Sequence, residues 1–289
     1  MGRTDPPRPA LSRGTLDRHT AQRADDAFLD AAWAQAQLLV LTPEGRAPVS
    51  MGGLRLTVPE SPERPPDAFY LGQDDLGHVF AVVSDAPPPA RARLADLREL
   101  GADLDDRDAG MFVHAQALAN WHRTHSHCPQ CGAPTLPSKG GAERVCPADG
   151  SHHFPRVDPA MIVIVTDADG EQALLGRQAV WPAGRYSTLA GFVEPGESAE
   201  QAVVREVLEE TGVRVSEVHY VDSQPWPFPQ SLMLGFRAIA DPAAPVMVPD
   251  GELEDARWFT RAEVLDGRML PGPVSIAYRL IMGWAGPGE

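Results

Sequence analysis

Between Gly191 and Val213 the chain sets Glu197, Arg205, Glu206, Glu209 and Glu210 in a frame that leaves few local structures open. Ser198 with Gln201 three residues on is a capping-box pair, which starts a helix. Gly212 suits the left-handed position that ends one. In a helix between them, Glu206 and Glu210 are four residues apart and Glu209 is three from Glu206, so all three project from one face. Glu197 lies just before the helix and can join them. Val203, Val204, Val207 and Leu208 are left for packing. Like charges at this spacing repel by roughly a few tenths of a kcal/mol per pair, and Arg205 offsets only part of that. A hard divalent cation offsets far more. Carboxylate oxygens suit Mg²⁺ or Mn²⁺, and Mg²⁺ typically shares itself between carboxylates and substrate phosphates. There it polarises a phosphoryl oxygen and lowers the pKa of a bound water. Taken alone, a glutamate cluster also reads as a solvated acidic face.

In full, the stretch reads Gly-x5-Glu-x7-Arg-Glu-aliphatic-x-Glu-Glu-x-Gly-aliphatic. Its seven fixed identities would arise by chance on the order of once in 10⁸ starts at average usage. The region resembles the Nudix hydrolases, which cleave a nucleoside diphosphate linked to another group. The resemblance implies an α/β/α sandwich with this helix at its centre. It also implies that Glu206, Glu209 and Glu210 are the metal and base carboxylates. Which one is the general base varies across the superfamily, so the pattern leaves that open. Glu197 and Arg205 are then supports of the loop–helix geometry.

Ten residues beyond Val213 comes Ser223-Gln224-Pro225-Trp226-Pro227-Phe228-Pro229-Gln230-Ser231. Three prolines at alternate positions forbid helix and central strand. They hold the backbone extended and lower the entropy cost of presenting side chains. Trp226 and Phe228 offer flat faces for stacking, and Gln224, Gln230 and Ser231 offer hydrogen bonds. A rigid loop with inward-packed aromatics is the alternative. Shortly after a Nudix box, this segment resembles the signature of the NADH pyrophosphatases, also described as NAD-capped RNA hydrolases. The resemblance implies hydrolysis of NADH to reduced nicotinamide mononucleotide and AMP, with residues 224–231 lining the pocket. It further implies a metal contact at Ala190, a downstream metal-binding glutamate at Glu252, and substrate contacts at Phe154 and Ala277. Glu254 and Asp255 are the competing candidates for the role of Glu252. Removal of an NAD cap from RNA by the same chemistry is the alternative activity, and a non-catalytic nucleotide-sensing module the third reading.

Cys128-Pro129-Gln130-Cys131-Gly132 has the form of a zinc-knuckle turn, and Cys146 follows after 14 residues. A structural zinc site is normally closed by four ligands. Where the family has a second Cys-x-x-Cys, this chain has Asp149 in the fourth position. Asp149, His152 or His153 can complete a tetrahedron, and a ribbon held by packing without metal is the alternative.

Around these motifs the chain divides into a loose tail (1–22), an α+β domain (23–124), a zinc-ribbon-like module (125–156) and an α/β Nudix domain (157–289). Trp121-His122-Arg123 resembles family sequence, but residues before about 120 match only in length and element order. The five apolar residues from Met161 to Val165 predict a buried strand, residues 54–58 a strand, and Leu94, Leu97 and Leu100 a helix. Acidic residues number 40 and basic ones 25, for a net charge of −15, and Lys139 is the lone lysine. That field repels phosphate backbones at long range and excludes a generic nucleic-acid coat protein. No apolar run reaches the ~20 residues that span a bilayer, and the N-terminus lacks a secretory apolar core. Three cysteines, two of them in Cys-x-x-Cys, fit a reducing compartment. The expectation is a cytoplasmic enzyme, homodimeric by resemblance.

Overall fold

The run from Met161 to Val165 becomes the middle of the C-terminal sheet because it is apolar at every position, so both of its faces need cover. The computed structural model describes residues 8–51, 53–89, 91–248, 251–266 and 270–286. It divides into two units: Arg13–Val157 with Pro227–Gln230, and Met1–Ser12 with Asp158–Trp226 and Ser231–Glu289.

The N-terminal unit opens with α1 (Asp26–Trp33), capped by Asp25, whose carboxylate accepts from the Ala27 amide at 3.0 Å. Then come β1 (Gln37–Leu41), β2 (Ala47–Ser50), β3 (Gly53–Leu54), β4 (Phe69–Asp74), β5 (Gly77–Val83) and β6 (Arg93–Ala95). Two helices follow, α2 (Leu97–Leu100) and the long α3 (Asp106–Thr124), and then the ribbon strands β7 (Leu136–Ser138), β8 (Glu143–Val145) and β9 (His152–His153). Three small sheets result, ordered β1-β5-β4, β3-β2-β6 and β7-β8-β9. Leu29, Trp33, Leu38, Tyr70 and Phe80 form one buried core, with α1 laid on the first sheet.

Three local expectations change here. The strand expected over 54–58 is divided between two partners: Leu54 pairs with Val49 and the Arg55 amide donates to the Pro48 carbonyl at 2.8 Å, whereas Thr57 bridges to Leu38, and Pro59 then removes the next donor. The helix expected from Leu94 starts at Leu97, because Asp96 caps it in an extended conformation and accepts from the Glu99 amide at 2.8 Å. Residues 8–22 are anchored rather than loose. Leu11 is 1% exposed, Ser12 Oγ donates to the Ser223 carbonyl, and Asp17 and Gln73 exchange backbone hydrogen bonds of 2.9 and 2.8 Å. The rest of the expected tail, 1–7, lies outside the described residues.

The C-terminal unit contains β10 (Asp158–Thr166), β11 (Gln172–Arg177), β12 (Leu189–Phe192), α4 (Ala199–Thr211), β13 (Ser216–Trp226), β14 (Ser231–Ile239), β15 (Asp255–Thr260), α5 (Arg261–Leu265) and α6 (Ile276–Ala285). The sheet order is β13-β14-β10-β11-β15, with β12 on β10; β10 and β14 run parallel and the other pairs antiparallel. Successive side chains of a strand point to opposite faces. Met161, Val163 and Val165 therefore pack with Val203 and Val207 of α4, while Ile162 and Ile164 pack with Ile276, Leu280 and Ile281 of α6. This is the expected α/β/α sandwich. Each such buried side chain contributes about 1.5–3 kcal/mol, so a charge at Val163 would unseat α4. Among the described residues no helix is long and apolar enough to cross a membrane.

A half-buried histidine ties α3 to the ribbon within the N-terminal unit. His122 Nε2 donates to the Gly141 carbonyl at 2.8 Å, and Nδ1 accepts from Arg144 Nη1 at 2.7 Å. Arg144 also donates to the Thr135 hydroxyl and carbonyl at 2.7 and 2.6 Å. The His122 ring stacks on Phe69 with centroids 4.8 Å apart. Burial, with the neighbouring guanidinium, pushes the His122 pKa from 6.5 down to about 4, against the pull of the Gly141 carbonyl. The unfolded chain therefore takes up this proton first, and stability drains away as pH falls from 6.5 towards 4. We expect a steeper fall of Tm over that window in the wild type than in His122→Gln, which should start lower at pH 7. Parallel Tm–pH curves would refute the assignment.

Candidate active site and metal centres

Helix α4 forms as its ends require. Ser198 Oγ accepts from the Gln201 amide at 3.2 Å, Gln201 Oε1 accepts from the Ser198 amide at 2.8 Å, and Gly212 closes the helix at φ 71°. Ala202, Val203 and Val207 are buried against the sheet, whereas Val204, expected to pack, is 41% exposed. Arg205 gathers the acidic face. It donates to both Glu197 oxygens at 2.9 Å, lies 2.9 Å from Glu206 and 3.0 Å from Glu209, and reaches the Phe192 carbonyl at 2.9 Å. The guanidinium holds the Glu197 carboxyl below the usual range, and its own pKa rises in that company. Glu206 goes the other way. Burial raises its pKa, Glu209 and Glu252 add repulsion, and Arg205 offsets only part. Glu210 is 3% exposed.

Gly191 explains how the Glu206 carboxylate fits. A Cβ at 191 would lie 2.0–2.3 Å from its carboxyl atoms, so β12 leaves the side chain out to make a cradle. Acidic oxygens crowded at such a cradle suit a hard divalent cation, which is the fit expected for Mg²⁺ or Mn²⁺. Glu252 acts electrostatically on Glu206. Glu254 is ion-paired with Arg177, and Asp255 accepts from the Tyr186 hydroxyl at 2.5 Å.

An open cavity of about 200 Å³ in the C-terminal unit brings together Ala190, Glu210, Trp226 and Ala277. It also exposes polar groups that the sequence did not single out: Gln178, Ser187, Thr188 and Ser275, with Trp181 as a second indole. Thr188 Oγ1 is buried without a hydrogen-bond partner. Phe192, beside Gly191, is 59% exposed and is a further unforeseen aromatic; its place inside the glutamate motif was the available signal. The proline-rich segment divides. Ser223, Gln224, Pro225 and Trp226 end β13, an edge strand, paired to Leu234, Met233, Leu232 and Ser231. Pro227, Phe228, Pro229 and Gln230 form the turn and belong to the N-terminal unit, as does Phe154, which is 66% exposed. Gln224, expected to line the pocket, is fully buried, and its Nε2 donates to the Val274 carbonyl at 3.2 Å.

In the ribbon, Cys128, Cys131, Cys146 and Asp149 bring one donor atom each to within 4.8 Å of one another. Two equivalent knuckles produce this. Gly132 N donates to the Cys128 carbonyl and Gly150 N to the Cys146 carbonyl, both at 2.9 Å, with glycine φ of 75° and 74°. Asp149 thus stands in the second knuckle where Cys131 stands in the first. Ser151 holds Asp149 Oδ1 through its amide at 2.9 Å and its hydroxyl at 2.6 Å, while Oδ2 faces Cys128 Sγ at 3.3 Å. His152 is turned onto Glu143 at 3.2 Å, and His153 Nε2 meets the Ser151 hydroxyl at 3.0 Å. Of the candidates for a fourth ligand, the geometry therefore gathers Asp149. Three sulfurs and one carboxylate oxygen fit a closed structural zinc site.

The NADH pyrophosphatase-like rudimentary NUDIX domain family matches residues 29–121, the NADH pyrophosphatase zinc ribbon domain family residues 123–154, and the NUDIX domain family residues 156–280. Among similar proteins, the NAD-capped RNA hydrolase NudC of Mycobacterium bovis is 42% identical over 301 residues, spanning 96% of this chain and 95% of that protein. Its counterpart in Mycobacterium tuberculosis is 41% identical over the same shares. The human NAD-capped RNA hydrolase NUDT12 is 44% identical over 197 residues, 63% of this chain and 42% of its own length. The chain belongs to the NADH pyrophosphatase branch of the Nudix hydrolases. For this Nudix hydrolase the N-terminal match falls where the sequence offers no chemical motif.

Two consequences are measurable in the Nudix protein without turnover. Gly191→Ala should displace Glu206 and weaken Mn²⁺ binding, read by calorimetry, by about 10–100-fold while circular dichroism stays native. Unchanged affinity would remove the cradle from the argument. Metal analysis should find one zinc per chain, retained in Asp149→Cys and lost in Asp149→Ala. Full zinc in Asp149→Ala would mean that another group closes the site.

Proposed function

We propose that the chain hydrolyses the pyrophosphate linkage of NAD(H), giving nicotinamide mononucleotide (reduced when NADH is the substrate) and AMP. The observation that carries this is the cradle at Gly191, where Glu206 stands among acidic groups beside a cavity lined by Trp226. Glu206, Glu209, Glu210 and Glu252, with Ala190, are the residues that would hold Mg²⁺ or Mn²⁺. Bound there, the cation polarises the phosphoryl oxygens and lowers the pKa of water. Arg205 keeps the carboxylates in register and balances part of their charge. A carboxylate of this cluster takes the proton of the attacking water. Trp226 offers its face to a base or nicotinamide ring, and Thr188 and Ser275 offer hydrogen bonds along the cavity. Ala277 bounds it with a side chain small enough to leave room.

Removal of an NAD cap from RNA by the same chemistry is the second reading, supported by the names of the mycobacterial and human relatives. The net charge of −15 favours capture of one terminal nucleotide over a long RNA footprint. A purely sensing module is disfavoured because all the box carboxylates are present. We further propose a homodimer, from the family likeness, and a cytoplasmic location, from three free cysteines.

Incubation with NADH and Mn²⁺ should yield AMP and reduced nicotinamide mononucleotide in equal amounts, abolished by a chelator. No turnover of NADH alongside cleavage of NAD-capped RNA would move the assignment to the second reading. Glu206→Gln should lose about 10²–10⁴ in rate. Its raised folded pKa means that the charged form is penalised at pH 7, so the metal-free variant should melt no lower than the wild type. A marked drop in Tm would make Glu206 a structural residue instead.

A further inference from the structure

Within the N-terminal unit, α3 carries two amides four residues apart, Gln116 and Asn120, on one face. Gln116 is 6% exposed, and its Nε2 donates to Asn120 Oδ1 at 3.0 Å. That contact sets the orientation of the Asn120 amide, because its oxygen must face Gln116 and its nitrogen must point away. Asn120 Nδ2 then donates to two backbone carbonyls at 2.9 Å each, those of Pro227 and Pro229. These residues flank Phe228, whose ring lies 4.1 Å from the Arg98 guanidinium. Gly45 makes room for the relay: a Cβ there would stand 2.2 Å from Gln116 Oε1. Proline lacks an amide proton, so the turn has few donors of its own with which to fix itself.

We propose that Asn120 is a positioning residue for the substrate-specificity segment, acting through the turn that follows Trp226. The proposal rests on the reading of that segment given above. One amide grips both ends of Pro227-Phe228-Pro229. The turn joins Trp226 to Ser231, which are paired across the mouth of the hairpin. Fixing the turn restricts the directions in which Trp226 can present its ring. The residue would therefore act on substrate binding and leave the carboxylate chemistry alone.

The test compares Asn120→Asp with Asn120→Ala. Aspartate has nearly the shape of asparagine but presents only acceptors to two carbonyls, whereas alanine simply deletes the grip. A clamp predicts that aspartate is the worse change; a packing role predicts that alanine is. With NADH we expect KM to rise about tenfold in Asn120→Asp and about threefold in Asn120→Ala, with kcat within about twofold of wild type. Hydrogen exchange at the Phe228 and Gln230 amides should accelerate in both variants, whether or not NADH is turned over. Unchanged KM and exchange, the reverse order of the two variants, or a parallel loss of kcat and Tm would overturn the proposal. Should the wild type fail to hydrolyse NADH, the proposed function falls, and the exchange rates alone decide on the clamp.

Discussion

Mutual repulsion among carboxylates on one face of α4 is the constraint that the surrounding structure has to contain. A helix bearing Glu206, Glu209 and Glu210 beside Glu252 would shed that face into solvent if it were free to turn. It is not free to turn, because Val203 and Val207 are buried on the sheet with β10. Gly191 gives Glu206 the volume it needs, and Arg205 stitches loop, strand and helix together through Glu197, Glu209 and the Phe192 carbonyl. The pKa of Glu206 is raised first by burial and then by the repulsion of Glu209 and Glu252, which Arg205 only partly offsets. A site left short of positive charge in this way is prepared for a cation, and the same feature makes the metal-free helix face a source of instability.

The ribbon solves its charge problem differently. Three thiolates and one carboxylate carry the same total charge as four thiolates, so Asp149 preserves the electrostatics of a four-cysteine zinc site while changing one ligand from soft to hard. A carboxylate has a second oxygen that could disturb a tetrahedral site. Ser151 occupies that oxygen with two hydrogen bonds and leaves the other directed at Cys128. The substitution is accommodated by a neighbour two residues away, inside a knuckle whose backbone matches its partner.

Much of the C-terminal unit was legible in the sequence, because its signals are local or periodic. Caps at Ser198 and Gly212 delimit α4, and the uninterrupted apolar run of β10 implies cover on both faces. The proline segment excludes a central strand, and β13 lies at the sheet edge. What escaped depends on partners far along the chain. Leu11 is buried although a Pro- and Arg-rich tail surrounds it. Gln224 looked like a pocket group because its type is polar, yet it is fully buried and its Nε2 donates to the Val274 carbonyl, 50 residues away. The choice among Asp149, His152 and His153 could not be made from spacing, since it turns on the adjacent strand offering Glu143 to His152.

The proline-rich segment shows where the two kinds of information meet. Its composition dictates an extended, donor-poor backbone, and that much follows from the residues themselves. From Pro225 to Pro229 every residue offers a carbonyl but only Trp226 and Phe228 offer an amide proton, so the turn depends on donors from elsewhere. The donor here is Asn120, 107 residues earlier than Pro227 and beside, not within, the Trp121-His122-Arg123 stretch. Proline restricts the segment's own conformations but cannot aim it. The hold on the turn comes from α3, whose sequence, read alone, does not name the carbonyls it grips. A turn built this way can keep its motif intact while its placement is changed by substitutions on α3, because the carbonyls it offers are the same whatever donor meets them.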